Sequence, residues 1–229
     1  TGISGFAEVD KLFGRAPKFT RADFIPLARL VADPVVLLVN DQQPYKTLKD
    51  FIDDAKKRPD QILYASSGSG SFSHFALVLM ASMTGTRMVH VPYKGGGPAT
   101  TALVSGETQV LVGSPAAVSV QLSAGRVRAL GVTSDTRLSA FPKVPTVAEA
   151  GVPGYEYTGW VGVFAPSATP RAIVDRMNAE IKRAIESADT QKRLEELEPW
   201  TMTPQQMAAR IKTDYEKYDR LLKLVGKLD

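Results

Sequence analysis

Apolar residues fall into two alternating patterns along the chain. Residues 35–39 form a short continuous apolar run, which is typical of a strand buried in a parallel sheet. Thr47 and Asp50 then have the spacing of a helix capping box, and apolar residues recur with helical spacing until Pro59. The pattern predicts a buried strand followed by a capped helix.

Strand, turn and helix recur in the same order through the middle of the chain. Apolar runs predict strands at residues 62–65, 88–91 and 109–112, and a further strand at 127–132. The first three runs are each followed by a turn of small residues and then by a helical pattern. Strands that alternate with helices are typical of parallel βαβ units, so the pattern predicts an α/β fold instead of a hairpin-rich sandwich.

The last third of the chain is predicted to contain longer elements. Residues 155–164 have the composition of one long strand that could cross between two lobes. A helix is predicted from Pro170 to about Ser187, and a last helix is predicted to begin with Thr203 as its N-cap. One face of the first of these two helices is expected to carry Ile173, Met177, Ile181 and Ile185.

Three turns of glycine and small hydroxyl residues lead directly from a predicted strand into a helix N-terminus. In a parallel sheet such turns lie together at the carboxyl edge, where open α/β sheets bind ligands. The first N–H groups of a helix have no intrahelical partner, and the helix dipole adds about half a positive charge, so these turns suit an anion. Hydroxyl groups that could donate hydrogen bonds to it belong to Ser66, Ser67, Ser69 and Ser71. Turns of this composition also serve as plain connections, but three in series favour a binding site.

Composition and charge exclude several classes of protein. The chain has no cysteine, which excludes disulfides, thiolate nucleophiles and cysteine-based zinc or iron–sulfur sites. The net charge is +4, but lysine and arginine are scattered among acidic residues, so nucleic acid is not predicted as a partner. No apolar run approaches the length of a membrane-spanning helix.

Motifs for nucleotide binding and catalysis are absent. Residues 66–71 match neither the Walker A motif nor the dinucleotide fingerprint, so we predict no bound nucleotide and no cofactor. There are two histidines, His74 and His90, and the sequence does not predict that they pair or bind a metal ion. His74 is a candidate ligand donor, although a buried and hydrogen-bonded role is more common, and His90 is expected to be an ordinary strand residue. The sequence predicts no catalytic residue and no metal site.

Five segments, spread over nearly the whole chain, carry a resemblance to a known family. The chain resembles the substrate-binding proteins of tripartite tricarboxylate transporters, also called the Bug or TctC-like family. The segments are Tyr64-Ala-Ser-Ser-Gly-Ser-Gly-Ser71 with His74, Val89-His-Val-Pro-Tyr-Lys-Gly95, and residues 125–134, 144–151 and 160–166.

The resemblance implies a two-lobed, periplasmic binding protein-like fold of type II, which is an α/β fold with mixed, mainly parallel sheets. Residues 1–34 and 160–229 are expected to form lobe one, and residues 35–159 lobe two. The resemblance also implies that a small organic carboxylate is held in a cleft and delivered, in the periplasm, to membrane transporter subunits. The positions assigned to ligand binding on this basis are Ser66, Ser67, Gly68, Ser69, Gly70, Ser71, His74, Tyr93, Lys94, Gly95, Gly113 and Ser114.

Two departures from the family pattern limit what the resemblance implies. Family members usually begin with a further segment of lobe one that carries two more glycine-rich loops, so we expect this chain to lack part of that lobe and of its pocket. In addition, Gly113 stands where many relatives have an acidic residue after the strand. Ligands with an amino group, which would need that acid, are therefore not expected.

Two other functions remain open from the sequence. A two-lobed transferase or dehydratase could act on a small anionic substrate, although the lack of cysteine excludes a relative of porphobilinogen deaminase. The effector-binding half of a LysR-type regulator has a similar architecture, but it would need an upstream helix-turn-helix that this chain does not contain. Turnover of a carboxylate would distinguish the enzyme from the receptor.

Overall fold

The structure is a computed structural model that describes residues 20–193 and 202–225. The chain divides into two compact units, unit 1 (Thr1–Asp33 and Gly159–Asp229) and unit 2 (Pro34–Thr158). Part of the predicted lobe one, residues 1–19, lies outside the described residues.

Strands and helices alternate through the described residues. The strands are β1 (Phe24–Asp33), β2 (Val36–Asn40), β3 (Leu63–Ser66), β4 (Val89–Pro92), β5 (Val110–Gly113), β6 (Val127–Val132) and β7 (Gly159–Pro166). The α-helices are α1 (Leu48–Lys57), α2 (Phe72–Thr84), α3 (Gly96–Ser105), α4 (Pro115–Ser123), α5 (Arg171–Ile185), α6 (Ala188–Arg193) and α7 (Pro204–Val225). Strands β3, β4 and β5 each lie one residue further along than predicted, and β6 has the predicted bounds.

Unit 2 is built on a five-stranded sheet with the order β4-β3-β5-β2-β6. Strand β3 pairs in parallel with both β4 and β5, as the sequence predicts. Strand β2 pairs antiparallel with β5 and with β6, so the prediction of a parallel strand at residues 35–39 is wrong. All five residues of β2 are buried. A continuous apolar run reports burial at the centre of a sheet and carries no information about strand direction.

Two helices of unit 2 have ends that local sequence signals predict. Thr47 caps α1, and the reciprocal hydrogen bonds with Asp50 form a complete capping box. Helix α2 ends at Gly85, whose φ of 67° is a left-handed conformation that glycine adopts readily. The apolar face of α1 is buried as predicted, through Leu48, Phe51, Ile52 and Ala55.

Buried apolar side chains from the sheet and its helices form the core of unit 2. Val36 and Leu38 of β2 pack with Leu103 of α3 and Val118 of α4 in one cluster. Asn40 lies at the end of β2 and is 3% exposed, and its side-chain amide donates to the carbonyl oxygens of Leu103 (2.8 Å) and Val104 (3.1 Å). These bonds tie the end of β2 to carbonyl groups in the last turn of α3, where few intrahelical partners remain.

Unit 1 contains an antiparallel pair formed by β1 and β7, with α5 and α7 packed against β1. Leu27, Ala165 and Val174 form one small core, and Trp160, Met207 and Ile211 form another. The indole N–H of Trp160 donates to Asp214 Oδ2 at 2.7 Å, and Arg210 Nε donates to Asp214 Oδ1 at 2.9 Å. Asp214, which is 4% exposed, therefore ties α7 to β7.

The predicted apolar face of α5 is only partly correct. Ile185 is buried, but Ile173 and Met177 are 50% and 40% exposed, and Val174 is buried in their place. Residues four positions apart differ by about 40° around an α-helix, so a row with that spacing leaves a straight face after two or three steps. The buried face of α5 thus follows a mixture of three- and four-residue spacings.

The predicted long strand at residues 155–164 begins later in the structure, at Gly159. Tyr155 and Tyr157 belong to unit 2, and both are buried there. The Tyr155 hydroxyl donates to the carbonyl oxygen of Ala76 in α2 at 3.0 Å. The aromatic residues before Gly159 thus indicate packing in unit 2 and not strand pairing.

Candidate ligand-binding site

Three helix N-termini meet one edge of the sheet in unit 2. Strands β4, β3 and β5 are neighbours and parallel, so the turns that follow them lie at the same edge. Helix α2 follows β3, α3 follows β4 and α4 follows β5. The predicted convergence of the three turns is confirmed, and it places three positive helix ends side by side.

The turn between β3 and α2 is held by hydrogen bonds within itself. The hydroxyl of Ser66, which is fully buried, lies 3.0 Å from the carbonyl oxygen of Gly68 and accepts the Gly68 N–H at 3.1 Å. The hydroxyl groups of Ser67 and Ser71 each lie 3.1 Å from the hydroxyl of Ser73. These three serines therefore build the turn, and their hydroxyl groups already make hydrogen bonds within it.

Several main-chain donors of this turn make no hydrogen bond within the part of the chain that the structure describes. They are the N–H groups of Ser69, Phe72 and Ser73, the last two lying in the first turn of the 13-residue helix α2. The side chain of Ser69 also makes no hydrogen bond among the described residues. Ser69 and the start of α2 thus supply the donors that the turn leaves available for an anion.

The turn after β4 is fixed directly to the turn after β3. Tyr93 N–H donates to the carbonyl oxygen of Ser66 (3.0 Å), and Gly95 N–H donates to that of Ser67 (3.2 Å). Gly95, with a φ of 108°, is the N-cap of α3. Lys94 is exposed, and the Tyr93 hydroxyl donates to Glu107 Oε1 at 2.7 Å. Burial and this hydrogen bond raise the pKa of Tyr93 to about 12, so its hydroxyl is neutral and already bonded.

The turn after β5 contributes a free hydroxyl and a closely packed glycine. Ser114 is the N-cap of α4, but its side chain makes no capping hydrogen bond. A Cβ atom on Gly113 would lie 2.8 Å from Val118 Cγ1, so β5 and α4 approach as closely as a glycine allows. The geometry explains Gly113 by packing, whereas Ser114 keeps a hydroxyl available at the sheet edge.

Replacing Gly113 with alanine should lower the free energy of unfolding by about 1.5 kcal/mol, because the branched and fully buried Val118 cannot move away from the new methyl group. Adding Val118→Ala should remove the clash, which gives a coupling energy of about 1 kcal/mol in a double-mutant cycle. Urea unfolding of the four proteins measures this coupling. Strict additivity of the two substitutions would show that the contact does not determine the residue at position 113.

The two histidines form a stacked pair, which the sequence did not predict. Their ring centroids are 3.9 Å apart and the planes differ by 4°. His74 Nδ1 accepts the Gly70 N–H at 3.0 Å, and His90 Nε2 lies 2.6 Å from Ser66 Oγ. His74 is 3% exposed and thus supports the turn from inside unit 2, the more common of its two predicted roles. His90 was expected to be an ordinary strand residue, but it also holds this turn.

The electrostatics of the sheet edge favour an anion. Across residues 66–71, 93–97 and 113–116 the one charged side chain is that of Lys94. No group of three or more potential metal ligands occurs within residues 20–193 and 202–225. No helix in these same ranges has the length and apolar character needed to cross a membrane. The arrangement offers main-chain N–H groups, two hydroxyl groups and one cation to a small negatively charged group.

Comparison with known proteins identifies relatives of this chain in sequence and in structure. Residues 6–227 match the family described as tripartite tricarboxylate transporter family receptor. The UPF0065 protein in the tcbD-tcbE intergenic region of Pseudomonas sp. (strain P51) is 37% identical over 218 residues, which are 93% of this chain and 65% of that relative. The structure of R. palustris Rpa4515 with adipate is 32% identical and covers 90% of this chain and 70% of that chain, with a TM-score of 0.78. MatC (Rpa3494) from Rhodopseudomonas palustris with bound malate is 29% identical and covers 96% of this chain and 77% of that chain, also with a TM-score of 0.78.

The mixed sheet and the solved neighbours together define an α/β fold of the periplasmic binding protein type, which confirms the predicted fold class. The chain belongs to the tripartite tricarboxylate transporter family of receptors. It spans 65% of the length of the Pseudomonas relative.

Proposed function

We propose that this protein is a receptor that captures a small organic carboxylate in the periplasm and presents it to the membrane subunits of a tripartite transporter. The observation that carries the proposal is the convergence of three helix N-termini at one sheet edge. The turns there contain N–H groups without an acceptor and Lys94, and they contain no acidic residue. Family membership supports the role of receptor. Neighbours described with adipate and with malate support a carboxylate as the ligand.

Each part of the site has a distinct role in this proposal. The N–H groups of Ser69, Phe72 and Ser73 and those of Gly96 and Gly97 in α3 are the donors available to a carboxylate group, since none has an acceptor among the described residues. The hydroxyl groups of Ser69 and Ser114 add further donors, and Lys94 attracts the anion by its charge.

The absence of an acidic side chain from the three turns limits the class of ligand. An ammonium group needs a carboxylate or several carbonyl oxygens as partners when water is removed from it. The turns present chiefly donors, and Gly113 carries no side chain that could accept a hydrogen bond. We therefore propose carboxylates without an amino group, with dicarboxylates such as adipate and malate as the first compounds to examine.

Gly96 allows a direct test because a proline there removes one N–H group with little disturbance. Gly96 is the first residue of α3, where proline fits the helix, and a Cβ atom would meet nothing within 4 Å. We expect Gly96→Pro to weaken carboxylate binding about tenfold relative to the matched Gly96→Ala variant, since a hydrogen bond to a charged group contributes about 1.5 kcal/mol or more.

The measurement begins with thermal-shift screening of mono-, di- and tricarboxylates, including adipate and malate, and continues with calorimetry on whichever compound binds. A true ligand at 100 times its Kd should raise the Tm by about 5 °C. The proton NMR spectrum of the ligand should be unchanged after long incubation, because a receptor does no chemistry. A folded protein that binds none of these carboxylates, or one that converts them, would contradict the proposed function.

A further inference from the structure

The stacked histidines hold both ends of the turn that carries Ser69. His74 Nδ1 binds the Gly70 N–H near the end of the turn. His90 Nε2 contacts the Ser66 hydroxyl, which in turn accepts the Gly68 N–H at the start. Two imidazole rings thus add to the hydrogen bonds that hold the turn, and these are the two histidines of the whole sequence.

The bond between Gly70 and His74 is compatible with one protonation state of the His74 ring. A ring nitrogen that accepts a hydrogen bond has a free lone pair, so the proton of neutral His74 lies on Nε2. A second proton would have to bind Nδ1, where its N–H would point at the Gly70 N–H. Protonation therefore replaces a hydrogen bond with two opposed donors, and it puts a positive charge 3.9 Å from the centre of the His90 ring.

The surroundings of the pair supply no group that would stabilise a charged ring. Tyr64 of β3 stacks on His90 with ring centroids 4.9 Å apart, and Phe75 of α2 lies against His74. Tyr155 approaches α2 through its bond to Ala76, and burial raises the pKa of both Tyr64 and Tyr155, so neither carries a charge below neutral pH. No aspartate, glutamate, lysine or arginine among the described residues is hydrogen-bonded to either ring or shifts its pKa.

Burial and the neighbouring His90 lower the pKa of His74 to about 4, and burial lowers that of His90 to about 4. A histidine that is released from this environment returns to its ordinary pKa near 6.5. The released ring binds a proton far more readily. Each fall of one pH unit between about 6.5 and 4 therefore shifts the equilibrium towards the open turn by about tenfold per histidine.

We propose that the His74–His90 pair is an acid-sensitive positioning device. While both rings are neutral, the pair holds the turn at residues 67–71 in its anion-binding form. When the rings take up protons, the turn opens. The ligand that would be released rests on the proposed function, but the response of the turn to acid does not.

Hydrogen exchange of the Gly70 amide in the unliganded protein tests this device. After correction for the intrinsic exchange rate, protection of Gly70 should fall at least tenfold between pH 6 and pH 5. The Gly106 amide, which is bonded to Leu103 at the far end of α3, is the internal reference and should keep its protection. A constant protection of Gly70, or an equal fall at Gly106 that marks global unfolding, would overturn the proposal.

A double variant puts a side-chain amide, which can form hydrogen bonds but cannot titrate, in place of each imidazole ring. In His74→Asn with His90→Gln, an amide oxygen replaces each ring nitrogen, so protection of Gly70 should no longer depend on pH. A pH dependence equal to that of the wild-type protein would assign the effect to other groups and reject the pair. If this variant does not fold, the comparison of Gly70 with Gly106 in the wild-type protein still decides the question.

The ligand enters in a separate arm of the experiment. Adipate or malate at saturation should restore the protection of Gly70 at pH 5, and a fixed concentration near the wild-type Kd should restore it less in Gly96→Pro. If neither compound nor any other carboxylate binds at pH 7, the proposed function fails, whereas an acid response confined to Gly70 still supports the device. Binding that is saturated and leaves the protection of Gly70 at pH 5 unchanged would overturn the link between the turn and the ligand.

Discussion

Replacing Asp214 with alanine should lower the free energy of unfolding of unit 1 by about 4 kcal/mol, the largest effect we expect from a single substitution. The carboxylate accepts hydrogen bonds from the Trp160 indole at 2.7 Å and from Arg210 at 2.9 Å, and it is 4% exposed. Its removal leaves the indole N–H without this acceptor and takes away a carboxylate that compensates a largely buried guanidinium group. Urea unfolding followed by tryptophan fluorescence measures the loss.

The matched control is Asp219→Ala on the same helix. Asp219 also pairs with a residue four positions away, Lys223, but the two side chains are 54% and 74% exposed. Such a pair contributes little to stability, so the control should change the free energy of unfolding by less than about 0.5 kcal/mol. Equal effects at the two positions would show that burial of Asp214 is not what makes it important.

Replacing Asn40 with aspartate should destabilise unit 2 by about 3 kcal/mol at pH 7. The amide of Asn40 donates to the carbonyl oxygens of Leu103 and Val104, and a carboxylate would place negative charge against both of them. The pKa of the new side chain should be raised in the folded state, because protonation lets it donate again. The destabilisation should therefore have its full value at pH 7 and become smaller as the pH falls towards 4.

A neighbouring substitution of the same chemistry is the control. Gln42→Glu introduces a carboxylate at an exposed position two residues away and should change stability by less than about 0.5 kcal/mol. Chemical unfolding of both variants at pH 4.5 and pH 7 separates the two effects. If Asn40→Asp loses the same free energy of unfolding at both pH values, the hydrogen bonds to α3 are not the cause of the destabilisation.

Local sequence signals predict much of this fold because they act through the nearest residues. The capping box of Thr47 and Asp50, the left-handed Gly85 and the start of the last helix at Thr203 all depend on contacts within a few positions. Strand direction depends on the whole chain path instead. The direction of β2 therefore could not be obtained from its apolar run.

The candidate site shows the same limit. The three turns could be placed at one edge because parallel strands align their carboxyl ends, and the structure bears this out. The register of β3 and β4 places Tyr64 opposite His90, and the packing of α2 on the sheet brings His74 against His90. A one-residue change of register would move His90 to the other face, so no local pattern predicts the pair.

The proposed binding of an anion by main-chain donors in the turns before α2 and α3 would have a consequence for how such receptors diversify. Main-chain N–H groups remain when a side chain is substituted. Substitutions around the site could therefore change the shape and length of the ligand that binds, while the N–H groups would still bind one of its carboxylate groups. A scan of this chain by alanine would accordingly underrate the sheet edge, and only replacements that delete an N–H, as proline does, would reveal its contribution.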